Sequence, residues 1–195
     1  MDLGKFDIAV LSIDLKFKKI TEMNWEGCPL DLKIISLAGN ELTEIIWEGC
    51  PHGLTTINLS HNKLTEINWE GCPPSLKSIE LCGNRLTEMN WEGCPSGLKY
   101  IDLSFNNITE MNWEGCPPSI TDISLNINKL TEMNWEGCPP DLKSISLQSN
   151  TITEMNLEGC PPGLIDIDLR YNKFTKKGKQ KEYYHDAKFE VIVTT

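Results

Sequence analysis

Thiols and paired carboxylates are the groups in this chain that could do chemistry, and both come in columns. Cys28, Cys50, Cys72, Cys94, Cys116, Cys138 and Cys160 recur every 22 residues, and only Cys82 stands apart. Thiolates serve as nucleophiles, soft-metal ligands or disulfide partners. Glutamates recur at the same interval in two series, Glu22, Glu44, Glu66, Glu88, Glu110, Glu132, Glu154 and Glu26, Glu48, Glu70, Glu92, Glu114, Glu136, Glu158. Two neighbouring carboxylates can divide acid and base roles when burial separates their pKa values.

Neither pattern selects one centre. The glutamates flank alternating apolar residues, as in Glu88-Met89-Asn90-Trp91-Glu92. They read as a solvated face that confers solubility, with its repulsion partly offset by Lys63, Arg85 and Lys129. Stacked cysteines would stand about 5 Å apart at strand spacing, with parallel side chains whose vectors do not suit a bridge. They read as a column of small reduced thiols rather than as disulfides or a soft-metal site. There is no C-x-x-C pair, and His52, His61 and His185 show no ligand spacing. No phosphate loop or catalytic triad is present. The expectation is a protein that is not an enzyme and needs no cofactor.

The elements that carry these columns follow from the same period. Asn40, Asn62, Asn84, Asn106, Asn128, Asn150 and Asn172 keep it, as do the leucines from Leu15 to Leu169. A period of this length means a supersecondary unit stacked on copies of itself. In Leu32-Lys-Ile-Ile35-Ser-Leu37, apolar residues alternate as in a short strand with one buried face. Repetition in one direction gives a parallel sheet. An asparagine side chain both donates and accepts, so at each rung it can satisfy the backbone of the turn and form a ladder. The other half, such as Leu86 to Ser96 with Gly93 and Pro95, lacks helical periodicity. It reads as extended or polyproline-like chain with at most a short 3₁₀ turn. Trp25, Trp47, Trp69, Trp91, Trp113 and Trp135, with Leu157 in the seventh place, read as convex-side core, each indole N–H meeting a backbone carbonyl.

The segment L-x-x-I-x-L-x-x-N-x-L, as Leu76, Ile79, Leu81, Asn84 and Leu86, resembles the leucine-rich repeat family over about nine-tenths of the chain. The Pro73 to Ile79 portion is similar to the short, Pro-rich repeats of bacterial effectors and giant viruses. A Trp in six repeats and a Cys in all seven, as in Trp69-Glu-Gly-Cys72, depart from those families. The resemblance implies an α/β-class solenoid of mostly β and irregular structure. It would be a curved horseshoe with a concave parallel sheet of about nine strands and little or no α-helix. It also implies protein–protein binding as the work. The whole chain, 1–195, reads as one solenoid: an N-terminal cap strand in 1–19, seven repeats in 20–172 and a C-terminal cap in 173–195. In that last cap Phe189, Val191 and Val193 alternate as a final strand after a polar insert from Thr175 to Asp186.

Function should lie where the repeat varies. The column between the buried Ile and Leu runs Asp14, Ser36, Asn58, Glu80, Asp102, Ser124, Ser146, Asp168. The column before it includes Ile34, Tyr100, Asp122 and Asp166. The one after it runs from Lys16 and Ala38 to Gln148 and Arg170 and is also read as outward-facing. Bulky residues gather in the middle and at the end as Tyr100, Phe105, Ile127 and Tyr171, of which the last three read equally as binding residues or as side chains packed beside the ladder turn. The candidate protein-binding residues are Tyr100, Asp102, Phe105, Asp122, Ile127, Glu80, Asp166 and Asp168. Aromatics beside carboxylates suit a partner with a basic surface.

Charge agrees with this. The net charge is -10, with residues 20–165 at -13 and the two ends together at +3. That balance disfavours nucleic acid and anionic membranes as partners. The basic run Lys173 to Lys181 reads as a solvated loop. The opening residues lack a continuous apolar stretch, so no signal peptide or membrane span is expected, and the cytoplasm, including that of a host, is the expected location. There the sequon-like Asn58-Leu-Ser60 and Asn107-Ile-Thr109 are chance matches. The leading expectation is a non-enzymatic binding module, a viral or bacterial factor acting on host proteins, monomeric or weakly associating head to tail. The alternative is a structural, self-assembling or consensus-like scaffold with no dedicated ligand.

Overall fold

A computed structural model describes residues 11–174 and the backbone of Glu190–Ile192. Nine three-residue strands form one parallel sheet in sequence order: β1 (Ser12–Asp14), β2 (Ile34–Ser36), β3 (Thr56–Asn58), β4 (Ser78–Glu80), β5 (Tyr100–Asp102), β6 (Asp122–Ser124), β7 (Ser144–Ser146), β8 (Asp166–Asp168) and β9 (Glu190–Ile192). The register is the sequence period itself: Ile35 pairs with Ile57, Ile57 with Ile79, and Ile79 with Ile101. A slip by one residue would turn every buried isoleucine to solvent, so the register is strongly fixed.

Each rung buries the same apolar set. In the fourth these are Leu76, Ile79, Leu81, Leu86, Met89 and Trp91. The expected asparagine ladder is present. Asn62 donates through Nδ2 to the Leu37 and Leu59 carbonyls, both at 3.0 Å, and accepts the Leu42 N–H at 3.0 Å. Each such Asn therefore ties its own turn to the rung before it. Lys18 stands where the first ladder Asn would be, and its N–H is taken up by Asn40 at 2.9 Å.

A second ladder runs up the opposite side. Each Trp indole N–H donates to the next rung's chain: Trp47 to the Asn68 carbonyl at 2.7 Å, Trp69 to Asn90 at 2.8 Å, and Trp91 to Asn112 at 2.8 Å. All six tryptophans are buried, so the Trp column is core. The rings of Trp25 and Trp47 lie 6.4 Å apart between centroids. That exceeds the strand spacing of about 4.8 Å, so the rungs fan out on the Trp side and the sheet lines the inner curve.

The return path consists of extended chain and two β-turns per rung, with no helix among the described residues. In the first turn the Cys72 N–H meets the Trp69 carbonyl at 2.9 Å, with Gly71 at φ 78°. That left-handed third position is the one a type II turn reserves for glycine. In the second turn the Leu76 N–H meets the Pro73 carbonyl at 3.1 Å. The last strand, read from Phe189, Val191 and Val193, is seen as β9 pairing Val191 with Ile167. Phe189, Val193, the insert from Thr175 to Asp186 and most of the basic run to Lys181 lie outside the described residues.

Candidate functional site

The sheet's inner face is assembled from residues that flank the buried isoleucine of each strand. Strand register places Tyr100 between Ser78 and Asp122, and Asp102 between Glu80 and Ser124. Glu80, Tyr100, Asp102 and Asp122 thus gather on three consecutive rungs. Burial pushes the Tyr100 phenol up to about 12, with help from Asp102, Glu80, Asp122 and Cys82. Loss of a proton there would add negative charge to a half-buried acidic cluster, and both effects oppose it.

These carboxylates have modest local partners. Glu80 accepts from the Asn58 amide, Asp102 from the Ser104 N–H at 2.9 Å, and Asp122 from the Thr121 hydroxyl at 2.5 Å. The ion pairs among the described residues lie elsewhere: Lys16 with Asp14, Lys63 with Glu41, and Arg170 with Asp168. The inner acidic cluster holds its charge without a paired cation among them.

The eight candidate residues are not all brought together. Asp166 and Asp168 both lie on β8, two rungs beyond the last strand of the cluster. Arg170 grips Asp168 through Nε at 2.9 Å and Nη2 at 2.5 Å and holds its carboxyl below the usual range. Asp168 is therefore neutralised from within the chain and leaves the open acidic set. Phe105 and Ile127 sit at the ladder turn, on the sheet's edge, and are 53% and 40% exposed. Their neighbouring rungs are joined through the Phe105 N–H and the Asn126 carbonyl at 2.8 Å.

The column after the leucines is outward only in part: Lys16 is exposed and Cys82, Asn126, Gln148 and Arg170 are half-buried, but three members are covered. Ala38, Ser60 and Ser104 are buried. The chain is already curling into the ladder turn there, and the Ser104 and Ser124 hydroxyls bond each other at 2.7 Å. Two contributors escaped the sequence: Asn58, which orients Glu80, and Cys82, which adjoins Tyr100. Their column membership was visible, but their partners on adjacent rungs needed side-chain positions.

All eight cysteines are free thiols. Burial pushes Cys50, Cys94 and Cys138 up to about 12 and raises Cys72 and Cys116 further. Such thiols are poor nucleophiles near neutral pH. No three His, Cys, Asp or Glu side chains among the described residues converge as a metal site would require. The glutamate columns line shallow grooves between outer rungs, such as one of about 580 Å³ bounded by Glu88, Glu92, Glu110 and Glu114. Equivalent grooves recur at Glu66 and Glu70 and at Glu44 and Glu48. No helix among the described residues is long and apolar enough to cross a membrane.

Comparison with known proteins agrees with this geometry. The Leucine Rich Repeat family profile matches residues 53–73 and 97–121. No curated protein sequence matches significantly. Among solved structures, a Shigella effector leucine-rich repeat domain superposes with a TM-score of 0.69 at 17% identity, over 94% of this chain and 81% of that one. YopM from Yersinia enterocolitica gives 0.51 at 25% identity, over 75% of this chain and 35% of its own. The Toll–Spatzle complex of Drosophila gives 0.67 at 20% identity, over 83% and 23%. Two repeats fit the profile, the others repeat their register and ladder rung for rung, and the solenoid is shared with these structures: residues 53–73 and 97–121 match the leucine-rich repeat family, and the chain has the leucine-rich repeat fold.

Proposed function

We propose that this chain is a non-enzymatic module that holds a protein partner with a basic surface against its inner sheet. One observation carries the reading. Glu80, Asp102 and Asp122 surround Tyr100 on the face where rungs differ, with no paired cation among the described residues. The outer face repeats Glu-x-x-x-Glu almost letter for letter and offers no unique address. An aromatic ringed by carboxylates matches the composition of binding hot spots, and the charge would steer a cationic partner. The Toll–Spatzle structure is a complex of such a solenoid with another protein. The Shigella structure is that of an effector domain, and a host-directed role in the cytoplasm is part of this proposal.

The test compares two double variants against a partner captured by a photo-crosslinker at position 100. Tyr100→Ala with Asp122→Ala is expected to weaken binding at least tenfold, about 1.4 kcal/mol. Glu88→Ala with Glu110→Ala on the outer face is expected to leave it unchanged. If the outer pair weakens binding as much, the inner-face reading falls. The competing reading, a self-assembling scaffold, draws on the acidic body and more basic ends. It requires that particle size grow as salt falls, which sedimentation at varied ionic strength measures.

A further inference from the structure

The residue before each ladder asparagine forms a column of left-handed backbone. Gly39 and Gly83 occupy it at φ 68° and 70°, as glycine does without strain. Phe17, His61, Phe105, Ile127, Ser149 and Tyr171 occupy it at φ between 54° and 60°. A non-glycine residue is uncommon there, and a β-branched one such as Ile127 is an outlier. Holding such a residue in this region strains the backbone.

The rung does not need a side chain at this position, because two rungs use glycine. At both, the space a Cβ would take is filled from the rung before. It would lie 2.3 Å from the Phe17 ring at Gly39 and 2.5 Å from His61 Nδ1 at Gly83. Side chains of this column thus lean onto the following rung, and glycine provides the seat. Phe105 is followed by Ile127 rather than glycine, so that seat is missing. Two bulky apolar side chains then stand in succession, strained in backbone and open to water. Neither property helps the fold. They follow β5 and β6 in the same two rungs that carry Tyr100, Asp102 and Asp122.

We infer that Phe105 and Ile127 are the apolar anchor of the inner-face site, and that its occupant is an extended segment of a partner protein with one aliphatic residue followed, at every second position, by arginine or lysine. The inference rests on the inner-face reading above and names the class of segment recognised. Residues two apart in an extended chain share a face. An aliphatic side chain between Phe105 and Ile127 therefore directs the following cations along the strand toward Asp102, Asp122 and Glu80. The carboxylates, which have no paired cation among the described residues, supply the charge complement.

The probe is the peptide acetyl-Leu-Ser-Arg-Ser-Arg-amide, titrated into ¹⁵N-labelled full chain and followed by chemical-shift changes. Two further peptides replace Leu by Gly, or both Arg by Glu. Wild type is expected to bind the first at least tenfold more tightly than either, with shifts at 105, 127 and 102. Phe105→Gly with Ile127→Gly relieves the strain and removes the anchor. Its melting temperature is expected not to fall, and its affinity to drop at least tenfold. Phe105→Asn with Ile127→Asn, also tolerant of left-handed backbone, guards against a folding defect peculiar to glycine. A marked loss of melting temperature in both pairs would make these residues structural and overturn the inference. So would unchanged peptide affinity in either folded pair. If Asp102→Asn with Asp122→Asn loses the peptide while the glycine pair keeps it, the anchor is wrong and the inner-face reading survives. Absence of peptide binding to wild type overturns the named class of occupant, while the captured partner of the preceding test still decides the broader reading.

Discussion

Asn106 and Asn112 show how much one residue's place in a rung decides. Asn106 is buried, accepts the Leu86 N–H at 3.0 Å and donates to the Leu81 and Leu103 carbonyls at 3.0 Å. Asn112 is exposed, and its side chain accepts only the Glu114 N–H at 3.0 Å. Asn106→Ala would strand buried backbone groups, at a cost of about 1–3 kcal/mol. Asn112→Ala would expose its amide to water, which replaces the bond. Denaturant unfolding should place the Asn106 variant well below the Asn112 variant, and equal midpoints would contradict the ladder's energetic role. The free cysteines make a second residue-scale prediction: thiol titration in denaturant, on freshly purified protein, should count all eight as reduced.

At the scale of elements, each rung is fastened twice, by asparagine on the strand side and by tryptophan on the far side. Trp113 donates to the Asn134 carbonyl at 2.7 Å while its ring fills the core. Trp113→Phe keeps an aromatic ring but leaves that half-buried carbonyl without its donor. The expected loss is on the order of 1–3 kcal/mol, from the unmet bond and the smaller ring together. Leu157, in the seventh place, closes this ladder: Trp135 still reaches the Asn156 carbonyl at 2.8 Å, and no indole follows on that rung. Hydrogen exchange should show the effect concentrated at the amides flanking position 134. An effect spread evenly over all rungs would contradict a local fastening.

For the whole molecule, stability is a sum over rungs and their shared interfaces. Removing residues 63–84 takes out one full 22-residue period and joins Asn62 to Arg85 in register. That chain should still fold, with a modest drop in melting temperature. Removing residues 63–73 alone joins mismatched halves and should abolish cooperative unfolding. The thiol column adds an alkaline limit. Burial raises Cys50, Cys94 and Cys138 from 9.0 to about 12, so the folded state disfavours their ionisation. Their contribution to stability is complete below the ordinary thiol value and is lost as pH climbs toward the raised one. Melting temperature should therefore fall between pH 9 and 12, and Cys94→Ala with Cys138→Ala should make that fall shallower. An identical slope in the variant would remove the thiols as its cause.

The sequence by itself determined the architecture. A strict period in Leu32, Ile35, Leu37 and Asn40 and their copies leaves one way to bury the apolar face, so strand, register and ladder follow from local pattern. It pointed to the Trp column as core without deciding it; the structure decided it, by burying each indole and giving it a carbonyl on the next rung. The site was legible only in part. Composition pointed to Tyr100, Asp102 and Asp122, because variation against a repeat is visible without coordinates. Tertiary structure decided that Asp168 is neutralised by Arg170, that Ser104 is covered, and that Phe105 and Ile127 stand on left-handed backbone. Those facts depend on side-chain direction and on neighbours one rung away, which a repeat pattern does not encode. Periodicity specifies the backbone because every rung votes for the same geometry, whereas a binding face is made by single residues that no other rung repeats.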